Sequence, residues 1–179
     1  MAVLHGIRAE PMLDEVTAPS LPIAVHPLHC DGRQSRTALA VALGARRLLA
    51  SHGFCSVTEL TLASGRRADI VGLGPGGDIW ILEIKSSVAD FRADRKWPGY
   101  RDFCDRFFFA VPPDFPQELL PEDAGIVLAD GFGAAMLRGA PMHRLAGARR
   151  KAVMLRFAHM AAARLHSLAD PHGATGHME

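Results

Sequence analysis

This chain has few of the features that mark a secreted, membrane-bound or strongly electrostatic protein. Its three cysteines, Cys30, Cys55 and Cys104, are odd in number and widely separated within 179 residues. That argues against a disulfide framework and fits a reducing compartment. No stretch approaches the roughly 18 to 20 uninterrupted apolar residues of a membrane span. The first 22 residues carry acids and prolines where a signal peptide needs a basic start and an apolar run. The sequence thus reads as soluble and cytoplasmic. Net charge is only +1, so global electrostatics do not announce a polyanion binder. Lysine is scarce as well, occurring at 85, 96 and 151 against seventeen arginines. Arginine's planar fork grips phosphate through two hydrogen bonds, although a GC-rich genome would produce the same bias. The scarcity singles out Lys85.

What is present is one domain. Residues 1–34 show no sustained hydrophobic period and hold four of the twelve prolines; they read as a loose N-terminal arm with at most one short strand. The domain spans 35–169, and 170–179 form a tail. Ser35 caps a helix running to about His52, with Leu39, Leu43 and either Ala42 or Arg46 on one stripe, and Gly53 stops it. Strands follow over 56–62, 67–72 and 79–85. Ala63-Ser64-Gly65 has the form of a three-residue hairpin loop with glycine at the left-handed position, and residues 74–78 make a wider turn. A polar helix over 87–97 is interrupted by Pro98 and continues briefly to Cys104. Strands over 106–111, 125–129 and 134–138 precede a long alanine-rich helix over 145–168. The expected fold is α/β, a mixed sheet flanked by helices, in the order α-β-β-β-α-β plus extra strands and a C-terminal helix.

Strand alternation locates the chemistry. In the third strand Trp80, Leu82 and Ile84 point one way, while Ile79, Ile81, Glu83 and Lys85 point the other. One face is apolar throughout; the other turns charged partway along. Centring the turns on Ser64 and Gly76 pairs Glu59 with Asp69 and Asp69 with Glu83. The three acids then form a row across strands about 4.8 Å apart. Like charges placed opposite one another destabilise a sheet, and burying them uncompensated costs several kcal/mol more. A divalent cation together with Lys85 would offset that repulsion, and hard carboxylate oxygens suit Mg²⁺ or Mn²⁺. Asp69, Glu83, the backbone carbonyl of Ile84 and Glu59 are the candidate ligands. Such an ion would activate a bound water and polarise a phosphate, with Lys85 orienting the water or stabilising the transition state. Asp69, Glu83 and Lys85 are the candidate catalytic residues. The bland alternative is two ordinary salt bridges, Glu83 with Lys85 and Asp69 with Arg67, on a wet sheet face.

These residues resemble a known pattern. Arg67-Ala68-Asp69-Ile70 followed by Ile81-Leu82-Glu83-Ile84-Lys85 is similar to the D…ExK core of the PD-(D/E)XK nuclease superfamily. More extensively, Glu59, the runs 66–69, 83–87, 90–97 and 100–108 resemble the MmcB-type DNA repair proteins of bacteria, over roughly residues 35–165. The resemblance implies a restriction-endonuclease-like fold and a role in DNA damage repair. It departs from the superfamily pattern in one respect: many members carry a metal-assisting glutamate on the first helix, and residues 35–52 contain no carboxylate. Glu59 is the candidate substitute; without it the protein would bind DNA and cut poorly, as an adaptor.

Candidate DNA contacts are Arg66, Arg67, Arg92, Arg95, Lys96, Trp97, Tyr100 and Arg101. The cations suit phosphates and the aromatic faces suit bases. The competing reading is a solvated helix whose aspartates neutralise its arginines. Arg149, Arg150 and Lys151 stand at a helix start, where the macrodipole disfavours cations, and hint at a second phosphate contact. DNA is thus the expected partner, engaged at the nucleoid, with a homodimer or a separate repair protein left open and no membrane. Gly72-Leu73-Gly74-Pro75-Gly76-Gly77 matches G-x-G-x-x-G literally, but a strand follows it instead of a helix, so no nucleotide cofactor is expected. His26, His29 and Cys30 lack a fourth ligand for tetrahedral zinc.

Overall fold

The computed structural model describes residues 35–171. The N-terminal arm, its histidine–cysteine cluster and all but the start of the tail lie outside the described residues. Helix α1 spans Arg36–Ser51, followed by β1 (Cys55–Thr61), β2 (Arg67–Leu73), β3 (Ile79–Ile84), α2 (Val88–Ala93), a 3₁₀ segment (Trp97–Phe103), β4 (Arg106–Val111), β5 (Gly125–Ala129), β6 (Ala134–Arg138) and α3 (Gly147–Ala169). One six-stranded sheet has the order β1-β2-β3-β4-β5-β6. The first three strands form an antiparallel meander, β3, β4 and β5 run parallel, and β6 returns antiparallel.

The expected α/β architecture and strand boundaries hold to within a residue or two, because alternation and turn chemistry agree there. Gly65 is left-handed at φ 78°, as the first hairpin loop requires. Two elements differ from expectation. Helix α2 ends at Ala93 instead of continuing to Trp97, because the Asp94 carboxylate takes the Lys96 N–H at 2.7 Å and leaves the helical path. The buried stripe of α1 is Val41, Ala42, Ala45 and Leu49, while Leu39 and Leu43 are only partly buried. Close packing sets that rotation: a side chain at Gly44 would collide with the carbonyl oxygens of Gly133 and Asp130.

Each sheet face carries a core. Val71, Ile79, Ile81, Phe107 and Phe109 pack with Val153 and Phe157 of α3 on one side. Ile70, Leu82, Phe108 and Val127 pack under α1 on the other. The edges are unequal. Along β1, Arg164 of α3 donates to the Thr58 carbonyl at 2.7 Å and to its hydroxyl at 3.1 Å. Among the described residues β6 has no neighbour beyond β5.

Asp105, 1 % exposed, ties the opening of β3 to α3. It accepts from the Ile79 N–H at 2.8 Å, from both terminal nitrogens of Arg150 at 2.7 and 2.6 Å, and from the Leu145 N–H at 3.3 Å. Burial alone would raise its pKa, but these hydrogen bonds outweigh burial and hold it below the usual carboxylate range. A depressed carboxylate contributes stability above its unfolded pKa, which is lost as pH falls through the folded value. Asp105→Asn is therefore expected to lose about 3 kcal/mol at neutral pH, with a smaller difference from wild type below pH ~4; urea melts at the two pH values check this.

Candidate functional site

The cleft forms where the apolar run of β3 stops. Pairing of Ile70 with Leu82 and Val71 with Ile81 brings Asp69, near the start of β2, opposite Glu83 at the end of β3. The two acids are cross-bonded through the backbone. The Asp69 carboxylate accepts the Ile84 N–H at 2.8 Å, and the Glu83 carboxylate accepts the Asp69 N–H. Glu83 and Lys85 are 6 % and 4 % exposed. The Lys85 ammonium lies 2.8 Å from Asp94 and 3.7 Å from Glu83. One carboxylate oxygen of Glu83, Oε2, is buried without a hydrogen-bond partner.

Desolvation dominates the electrostatics. Burial, reinforced by Asp69, pushes Glu83 up to about 8. Burial also pushes Asp69 up to about 6, against the Ile84 hydrogen bond and Lys85. Burial works against the Lys85 ammonium, yet its bond to Asp94 and the charge of Glu83 raise it above its ordinary value. Burial and the nearby acids also raise the Tyr100 hydroxyl, which donates to the Arg67 carbonyl at 2.9 Å. An open cleft of about 510 Å³ meets Glu83, Lys85 and Asp94 on one wall and Arg66, Arg67 and Lys96 on its rim.

Glu59 departs from the expected row of three. Its backbone is left-handed at φ 61°, uncommon for a residue with a Cβ. The apolar positions of β1 accordingly skip from Val57 to Leu60. The Glu59 carboxylate ion-pairs with Arg67 at 2.8 Å, while its charge still reaches Asp69. Among the described residues, no group of three or more acidic, histidine or cysteine side chains is gathered to hold a metal ion.

A family model described as DNA repair protein MmcB-like matches residues 25–172. The chain belongs to the MmcB-like DNA repair family. Membership gives it a role in DNA repair. A solved structure of a protein of unknown function from Silicibacter pomeroyi is 49 % identical, with a TM-score of 0.74, and the match covers 79 % of this chain and 95 % of that one. No curated protein matches.

In this MmcB-like chain the expected DNA contacts divide. Arg66, Arg67, Lys96 and Tyr100 line the cleft. Arg66 donates to the Lys96 carbonyl at 2.6 Å, which fixes that rim. Arg92 and Arg95 are exposed but do not line it. Trp97 stacks on Phe107 as a half-buried wall, and Arg101 lies over it while pairing with Asp123 at 2.6 Å. The basic helix start is largely consumed internally. Arg150 is bound to Asp105, and Arg149 lies 3.6 Å from Asp102. The sequence reading missed the role of Asp94, counting it as one more counter-charge. The usable signal was an aspartate two residues before a backbone N–H that it can capture, just ahead of Trp97-Pro98.

A carboxylate raised by burial binds its proton more tightly in the folded state, so folding stability falls as pH rises through the window. In chelator-treated protein, wild type should lose thermal stability between pH 5 and pH 8 relative to Glu83→Gln. Parallel melting profiles for the two proteins across that range would contradict the desolvated pair.

Proposed function

We propose that this MmcB-like protein is a divalent-metal-dependent DNA endonuclease of the PD-(D/E)XK type, hydrolysing phosphodiester bonds at the cleft lined by Glu83 and Lys85, with Asp69 cross-bonded to Glu83 beside it. The partnerless Oε2 of buried Glu83 carries the reading. Two desolvated carboxylates whose protons are held this tightly form a site short of positive charge, and a cation supplies it. The donor chemistry suits Mg²⁺ or Mn²⁺: Asp69, Glu83 and the Ile84 carbonyl would hold such an ion through hard oxygen atoms. Such an ion supplies water activation and charge neutralisation at the phosphate. Asp69 is already oriented by the Ile84 N–H, and Glu83 by the Asp69 N–H. Asp94 holds Lys85 protonated beside Glu83, from where its ammonium donates to a phosphate oxygen as charge develops. Lys96 and Arg66 on the rim meet the flanking phosphates.

One observation favours a second reading, a non-cutting DNA-binding adaptor. Glu59 is engaged with Arg67, and α1 carries no acid, so the expected third ligand beside Asp69 and Glu83 is bound elsewhere. Cleavage of plasmid and branched DNA with Mn²⁺ separates the readings. The nuclease reading expects activity in wild type and at least a hundredfold loss in Asp69→Ala and Lys85→Ala; equal product from all three proteins would leave the adaptor. Calorimetric Mg²⁺ titration is expected to show Glu83→Ala losing most of its affinity.

Lys96→Ala is expected to weaken DNA binding and to lower the slope of log affinity against log salt by about one, with Mg²⁺ affinity unchanged. Binding isotherms at three salt concentrations check it, and an unaltered slope would remove Lys96 from the interface.

A further inference from the structure

The turn between β5 and β6 presents Phe132 with its side chain in solvent, 92 % exposed, the most exposed large apolar residue described. A floppy loop would make that unremarked, but this turn is built. The Asp130 carboxylate accepts the N–H groups of Phe132 and Gly133 at 2.8 and 2.9 Å. The Asp130 N–H donates to the Gly133 carbonyl at 3.0 Å. From α1, Arg47 donates to the carbonyls of Gly131 and Phe132 at 2.8 and 3.0 Å. Gly44 lets the helix touch the turn. An aromatic ring on so fixed a support gives up little conformational entropy when it is covered.

Its location says what covers it. Because β3, β4 and β5 are parallel, the turn after β5 and the Glu83–Lys85 end of β3 lie at the same end of the sheet. Two strand spacings, roughly 10 Å, separate them laterally, comparable with the ~12 Å width of a major groove. Helix α1 starts at that end: Gly44 meets the turn, whereas Leu49 packs at Gly72, opposite the first residues of β3. The helix carries no acid; its Arg36 and Arg47 are exposed, Arg47 at the turn itself, while Arg46 is half-buried and lies toward Arg164 at the β1 side. An exposed aromatic beside an acid-free, arginine-bearing helix complements an anionic partner with flat apolar faces.

We propose that Phe132 stacks on an unpaired nucleobase of the DNA engaged at the cleft, so that the preferred substrate carries a displaced or single-stranded nucleotide. The proposal rests on the DNA-binding reading above and adds the substrate class. A base outside the helix has already lost its stacking partner, and the ring restores one without reading sequence. Rim cations hold the backbone; the aromatic selects the disrupted structure.

Fluorescence anisotropy on the full chain tests this with a perfect duplex and the same duplex bearing one unpaired 2-aminopurine. The expected result is tighter binding of the second by wild type, with quenching of the 2-aminopurine emission on stacking. Phe132→Ala should lose about tenfold affinity for the unpaired substrate together with the quenching, while keeping its affinity for the perfect duplex and its Tm. Phe132→Trp should retain both. If Phe132→Ala binds both DNAs as wild type does, the stacking role is overturned and the cleft reading stands. If it changes only the oligomeric state, Phe132 belongs to a protein interface and the proposal is likewise overturned. Wild type that binds neither DNA removes both readings together.

Discussion

The cross-bonded carboxylates of Asp69 and Glu83 are the constraint around which this domain is arranged. β3 is dry on both faces, so the charged residues at its end cannot be solvated and must be answered by other groups. The answer is partly main-chain, from Ile84 and Asp69, and partly ionic, from Lys85. Lys85 in turn is held by Asp94, whose capture of the Lys96 N–H breaks α2 and shapes the cleft wall. At the opposite end of the strand Asp105 does comparable work, joining the Ile79 N–H to Arg150 of α3. The strand is thereby pinned by a carboxylate at each end, one saturated with donors and one left short of them. Saturation suits a purely structural acid, and shortage leaves Glu83 able to take a further partner.

Legibility in the sequence followed the range of the interaction. Period-two alternation and the turn residues around Gly65 and Gly76 were enough to give the register of β1, β2 and β3, and hence the meeting of Asp69 with Glu83. Neither Asp105 with Arg150 nor Lys85 with Asp94 could be found that way. Each depends on how a helix lands on the sheet, which no local pattern specifies. The α1 stripe was right at Ala42 and otherwise misjudged for the same reason: Leu39 and Leu43 are the larger side chains, but contact with the β5–β6 turn admits only Gly44 and turns Val41, Ala45 and Leu49 inward beside Ala42. Glu59 stays within electrostatic reach of Asp69, but its left-handed backbone and its ion pair with Arg67 were not foreseen, because neither follows from strand alternation.

The basic residues tell a similar story. Counting cations along the chain weighted the start of α3 as heavily as the segment after β3. In three dimensions Arg150 and Arg149 face Asp105 and Asp102, while the cations left at the cleft rim come from the β1–β2 loop and the chain after α2. A nearly neutral chain thus distributes its cations unevenly, pairing those at the start of α3 with aspartates and leaving Arg66, Arg67 and Lys96 at the cleft.

The two borders of the sheet have different fates. Arg164 of α3 bonds to the rim of β1, whereas β6, with the sequence Ala-Ala-Met-Leu-Arg, bears no lysine or proline, and its one charge, Arg138, turns inward to the carbonyls of Ala124 and Pro121. Among the described residues the two edges are therefore guarded unequally: α3 arginines take backbone carbonyls of Thr58 and Thr61 along β1, and no helix does the same along β6.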